Sequence, residues 1–130
     1  MSINRLMTNI CSANLVASKN YYTTLLGLEV AFDSDWFIQL KTPESGFELC
    51  LIARNHALVP TPWQQAPQGF YLTFVVADVE AVYQTATSHG YEVVQPPADT
   101  FYGQRRLLLK DPDGTLVDVS APIPNFQFGG

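Results

Sequence analysis

The sequence predicts an α+β fold in which two βαβββ repeats build a curved, eight-stranded mixed sheet, an open barrel-like cleft with its helices on the outer face. Three observations carry this expectation. The order of short strand, capped helix and three further strands occurs twice, and the distance from helix cap to terminating glycine agrees within a residue between the copies. A proline-rich stretch separates them.

The elements follow in order. Residues 8–12 read as a short strand. Asn14 can accept from the first free amides of a helix over residues 15–26, and Gly27 ends that helix by entering the left-handed region. Strands are expected over 28–33, 35–41 and 47–52. In the second copy, strand 70–76 leads to Asp78 as cap, with Glu80 in the first turn of helix 79–89 and Gly90 as the stop. Strands over 91–94, 105–110 and 115–120 complete the unit. Between the copies, residues 54–68 hold Pro60, Pro62 and Pro67 without periodicity, which reads as a surface linker. One domain, 1–130, is therefore expected, with modules of about 5–53 and 69–121; only the tail from Asn125 to Gly130 looks loose.

Leu15, Tyr22, Leu25 and Leu26 share one side of the first helix, and Val79, Val82, Tyr83 and Ala86 one side of the second. Along the strands, Phe47, Leu49 and Leu51 alternate with Glu48, Cys50 and Ile52. Leu72, Phe74 and Val76 alternate with Tyr71, Thr73 and Val75. One face of each sheet packs its helix, and the other lines a cleft.

Composition removes several functions. With 130 residues, 47% apolar and 15% charged, the chain can bury a core. Seven basic against twelve acidic residues give a net charge of −5, with no basic cluster beyond Arg105 and Arg106, so nucleic acid is not an expected partner. No apolar run reaches the roughly 20 residues of a membrane span and the N-terminus carries no signal pattern, so the expected place is the cytoplasm and no membrane partner is expected. Cys11 and Cys50 lie in strand-like segments with no paired spacing and read as reduced, buried thiols. No Gly-rich phosphate loop, nucleophile elbow or paired cysteine and histidine is present.

The stretches "YYTTLLGLEV", "FVVADVEAVYQTATSHGYEVV" and "FYGQRRLLLKDPDGTLVDV" resemble the glyoxalase, bleomycin-resistance and extradiol-dioxygenase proteins, the vicinal oxygen chelate superfamily, from about Leu6 to Pro122. The resemblance implies a cleft in which enzymes of the family hold a divalent metal through His or Gln, Glu, His and Glu. Matched residue by residue, the first position falls at Met7, Thr8 or Asn9, none a good ligand. The second is Glu48, the third is Tyr71 in place of His, and the fourth is Asp118 in place of Glu. Both imidazoles are missing, so a permanent metal is not expected. His56 is expected to face water and His89 to cap helix carbonyls. The turn before Asp118, "DPDG", needs only Pro112 and Gly114 to explain it.

Aromatic candidates complete the site. Trp36 alternates with Phe37 and is either core or mouth lining, whereas Trp63 is read as linker packing in preference to a lid over the pocket or a contact with a neighbouring subunit. Phe101 and Tyr102, with Gly103 permitting a close backbone approach, are expected to form a wall with Tyr71 and Trp36. By alternation, either Arg105 or Arg106 turns inward and neutralises Glu48 or Asp118.

The expected function is a metal-independent binding protein, without cofactor, that sequesters an aromatic small molecule, whether cationic or neutral. Trp36, Tyr71, Phe101 and Tyr102 would stack on it, and Glu48, Asp118 and Arg105 would supply charge. The resemblance to resistance proteins implies a homodimer. The alternative is a glyoxalase-like lyase or isomerase, or a dioxygenase-type enzyme, in which Glu48 and Asp118 hold a divalent metal weakly or Glu48 acts as general base.

Overall fold

The computed structural model describes residues 1–126. The chain divides into two compact units, Met1–Pro67 and a second that begins at Gln68. Each contains one βαβββ repeat, with its own four-stranded mixed sheet and one helix.

In the first unit, β1 (Met7–Ser12) runs parallel to β4 (Glu48–Ala53), and β3 (Phe37–Lys41) and β2 (Glu29–Asp33) extend the sheet antiparallel, in the order β1-β4-β3-β2. Helix α1 (Leu15–Leu26) begins where Asn14, in extended conformation, accepts from the Ala17 amide. It ends at Gly27, whose φ of 68° requires glycine. The helix buries Ser18, Tyr21, Tyr22 and Leu25 over β3 and β4, whereas Leu15 and Leu26, expected on that face, are only half-buried. Ile10, Ile38, Leu40, Leu49 and Leu51 complete this core, all on the sheet face that register assigns to the helix. Buried Ser18 lies against Ser12, its hydroxyl accepting from the Ser12 Oγ at 3.3 Å. The third strand starts at Phe37 rather than at 35, because the Ser34 hydroxyl accepts from the Trp36 and Phe37 amides and holds a turn there.

Beyond β4 the expected linker is folded onto its own unit. A 3-10 turn spans Thr61–Trp63, Val59 is buried, and the Gln64 amide donates to the carbonyls of Val59 (2.9 Å) and His56 (3.4 Å).

In the second unit the order is β5-β8-β7-β6, with β5 (Tyr71–Val75) parallel to β8 (Leu116–Pro122) and β7 (Gln104–Lys110) and β6 (Val93–Asp99) antiparallel. Helix α2 (Val79–Ser88) starts with the Asp78 carboxylate accepting from the Ala81 amide at 3.1 Å. Leu107, Leu109, Val117 and Val119 are fully buried on the helix side. The sixth strand, expected to stop at 94, continues through Pro96 and Pro97. It lies at the sheet edge, where a missing amide costs no ladder bond, and its register slips on both sides of Gln95.

Neither described helix is long and apolar enough to cross a membrane. The loose tail expected from Asn125 falls, from Gln127 onward, outside the described residues.

Candidate functional site

Register sorts the free face of the first sheet into three rows. Met7, Glu48 and Lys41 form one, Asn9, Cys50 and Gln39 the next, and Cys11, Ile52 and Phe37 the last. Glu48 opens β4, and its side chain is only 8% exposed. A carboxylate that far from water needs partners. Arg5 supplies them: its Nε donates to Glu48 Oε2 at 2.6 Å and its Nη2 to Oε1, and the Gln39 amide also donates to Oε1. The Arg5 guanidinium, helped by Gln39, holds the Glu48 carboxyl down at about 2 although burial opposes it. Two residues down the strand, burial pushes the Cys50 thiol up, with the charge of Glu48 adding to the effect.

The far end of the same face is apolar. A hollow of about 410 Å3 is lined by Cys11, Trp36, Phe37, Ile52, Leu58, Pro60 and Trp63, with Asn9 and Val59 completing it. Trp36 is half-buried, 5.4 Å from the Phe37 ring, and stacks on His56 at 4.5 Å. His56 therefore does not simply face water; its Nδ1 accepts from the Leu58 amide at 3.1 Å. A larger hollow, about 580 Å3, opens on the helix side near Asn14, Asp33, Asp35 and Arg54, but there Lys19 holds Asp33 at 2.9 Å and Arg54 donates to the Cys11 carbonyl at 3.2 Å.

In the second unit the row across β5, β8 and β7 is Thr73, Asp118 and Leu108. The Asp118 side chain, 7% exposed, accepts from Ser120 Oγ at 2.5 Å and Thr73 Oγ1 at 3.2 Å, and Arg106 Nε lies 3.5 Å away. The residue opposite Asp118 is thus Thr73, and Tyr71 sits one row along, opposite Leu116, with the Arg106 guanidinium 5.9 Å from its ring centre.

Of the two candidate arginines, Arg106 turns to the carboxylate. Arg105 turns the other way: its Nη2 bonds Glu80 at 2.5 Å, its Nε bonds the same oxygen at 2.8 Å, and its Nη1 bonds Asp99 at 3.0 Å. Adjacent residues of a strand face opposite sides, so Arg105 joins β7 to α2 and β6 and is placed away from the Asp118 cluster. Phe101 and Tyr102 meet edge to face at 5.4 Å in the turn before β7, Phe101 being 88% exposed. Gly103 beside them, at φ 96°, lies under the Phe126 ring, where an added Cβ would come within 2.7 Å.

Sequence reasoning missed Arg5, Gln39, Thr73 and Ser120. Only Gln39 left a readable sign, as an uncharged polar residue between Ile38 and Leu40 within a strand.

These donors do not fit the metal centre that the resemblance implies. Both oxygens of Glu48 are occupied by Arg5 and Gln39, and opposite it stands Met7. Asp118 faces a hydroxyl. The imidazoles are elsewhere, His56 on Trp36 and His89 at the end of α2, where its Nδ1 meets the Thr85 carbonyl at 2.9 Å. Among the described residues no three His, Cys, Asp or Glu side chains converge.

Residues 2–119 match the profile of the Glyoxalase/Bleomycin resistance protein/Dioxygenase superfamily. The chain belongs to that superfamily. Among solved structures it is similar to a glyoxalase/bleomycin resistance protein/dioxygenase from Nocardioides, at 23% identity over 99% of this chain and 91% of that one, with a TM-score of 0.71. A family enzyme from Burkholderia phytofirmans matches at 21% identity over 90% and 97% of the two chains, TM-score 0.77. A superfamily member from Sphaerobacter thermophilus matches at 21% over 92% and 98%, TM-score 0.75. Such identities establish a shared fold. Comparison with curated proteins finds no match.

Proposed function

We propose that this protein is a metal-independent binder of an aromatic, cationic small molecule, held without a cofactor, and that it works as a cytoplasmic homodimer. The supporting observation is one sheet face that carries a shielded carboxylate at one end and an aromatic hollow at the other. Flat apolar surface would leave water against Trp36, Phe37 and Trp63, and Glu48 would attract the charge. Asp118, Tyr71 and Arg106 offer the second unit's equivalent pairing of ring and charge.

The enzymatic alternative asks Glu48 to act as general base. A carboxyl held at about 2 is a weak base at neutral pH, which argues for the binding reading. Thermal shift tests the choice. Planar cationic compounds are expected to raise Tm, while zinc, nickel and manganese ions leave it unchanged; a large ion-dependent rise would overturn the proposal. Glu48→Gln and Asp118→Asn are expected to weaken cationic ligands while the protein stays folded.

A further inference from the structure

We infer that the Glu48 end of this face is a receptor for a forked planar cation, a guanidinium or amidinium group borne on an elongated aromatic body, and that Arg5 is the internal occupant which such a ligand displaces. The inference rests on the binding reading above and narrows its ligand class.

Arg5 shows what the carboxylate accepts. Its Nε and Nη2 address the two oxygens of Glu48 separately, a paired geometry that a guanidinium or amidinium offers and a compact ammonium does not. Gln39 donates from the neighbouring strand to the same carboxylate and so fixes its orientation. With the Glu48 side chain 8% exposed, losing the cation without a replacement would leave a shielded charge uncompensated. A ligand cation that takes the place of Arg5 keeps that charge compensated.

The occupant itself is held weakly by everything else. Arg5 comes from the irregular segment before β1, its own side chain is 57% exposed, and its neighbours Ile3 and Leu6 are exposed as well. Among the described residues Met1, Ile3 and Leu6 all stay exposed, so the apolar side chains of this segment do not anchor it, and an incoming cation has the paired hydrogen bonds to replace. The incoming group gains where Arg5 cannot. Ile52, in the floor of the hollow, lies four residues from Glu48 along β4, about 13 Å at roughly 3.3 Å per residue. An aryl amidine of two rings spans that distance, setting its rings against Trp36 and Phe37 while its amidinium meets Glu48.

Titration calorimetry with 4-phenylbenzamidine and its neutral counterpart 4-phenylbenzamide, on the full chain, tests this. Arg5→Ala is expected to bind the amidine at least ten-fold more tightly than the wild type and the amide equally well. Adding Glu48→Gln to that variant is expected to abolish the amidine's advantage. Trp36→Ala is expected to weaken both compounds. Arg5→Lys, which keeps the charge but loses the fork, serves the same comparison should the alanine variant not fold, and is expected to fall in between. Equal affinity of amidine and amide in the Arg5 variants would overturn the cation receptor, and the aromatic reading would survive if Trp36→Ala still weakened both. Unchanged amidine affinity on removing Arg5 would overturn displacement. No effect of Trp36→Ala, or no binding of either compound to any variant, would overturn both this inference and the reading beneath it.

Discussion

Glu48 gives up water for one guanidinium and one amide, and that exchange has a pH signature. Its carboxyl is lowered from the ordinary 4.5 to about 2, first by the hydrogen bonds from Arg5. The folded protein thus binds this proton less readily than the unfolded chain, so the pair contributes its full stability above about 4.5 and loses it as pH falls toward 2. Wild-type Tm is expected to fall more steeply across that window than Tm of Glu48→Gln. Parallel curves would show that the pair contributes nothing. At this scale the sequence was legible only in part. Period-two alternation places Glu48 with Cys50 and Ile52 on the free face, as register confirms. It cannot choose between Arg105 and Arg106, because that choice depends on which residue of β8 each one faces. Nor can it find Arg5, which lies outside any periodic element and meets its partner 43 residues away.

Helices and strands hold the site through signals that the sequence does carry. Asn14 and Asp78 each satisfy an amide that would otherwise lack a partner in the first turn. Replacing either with alanine is expected to cost about 1 kcal/mol in a denaturant titration, and Gly27→Ala, forced to φ 68°, about as much. Stabilities unchanged within error would show that these caps do not determine the helix ends. The buried side of α1 was harder to read. Tyr21 and Ser18 are buried in place of Leu15 and Leu26, since Tyr21 packs edge to face on Tyr22 at 5.1 Å and Ser18 accepts a hydrogen bond from Ser12. An apolar stripe drawn from leucines alone leaves out a serine whose polarity is satisfied locally. Pro96 and Pro97 misled in the opposite direction, because a strand interior excludes proline while an edge tolerates it.

For the whole molecule, duplication was the legible feature. Cap, glycine stop and strand count recur at matched spacing, and both units have the same strand order with first and last strands parallel. The chemistry was less so, since one fold carries many activities and the pairings that decide it join residues far apart in sequence, 45 positions for Thr73 and Asp118. The homodimer proposed above is expected to give twice the chain mass in sedimentation velocity; a monomer at micromolar concentration would overturn that part of the proposal.

The chain has two tryptophans, Trp36 and Trp63, and both line the same apolar hollow. Its entire indole emission therefore originates at one spot. Colour and intensity of that light depend on how wet the rings are, so the protein reports the filling of its hollow without any attached dye.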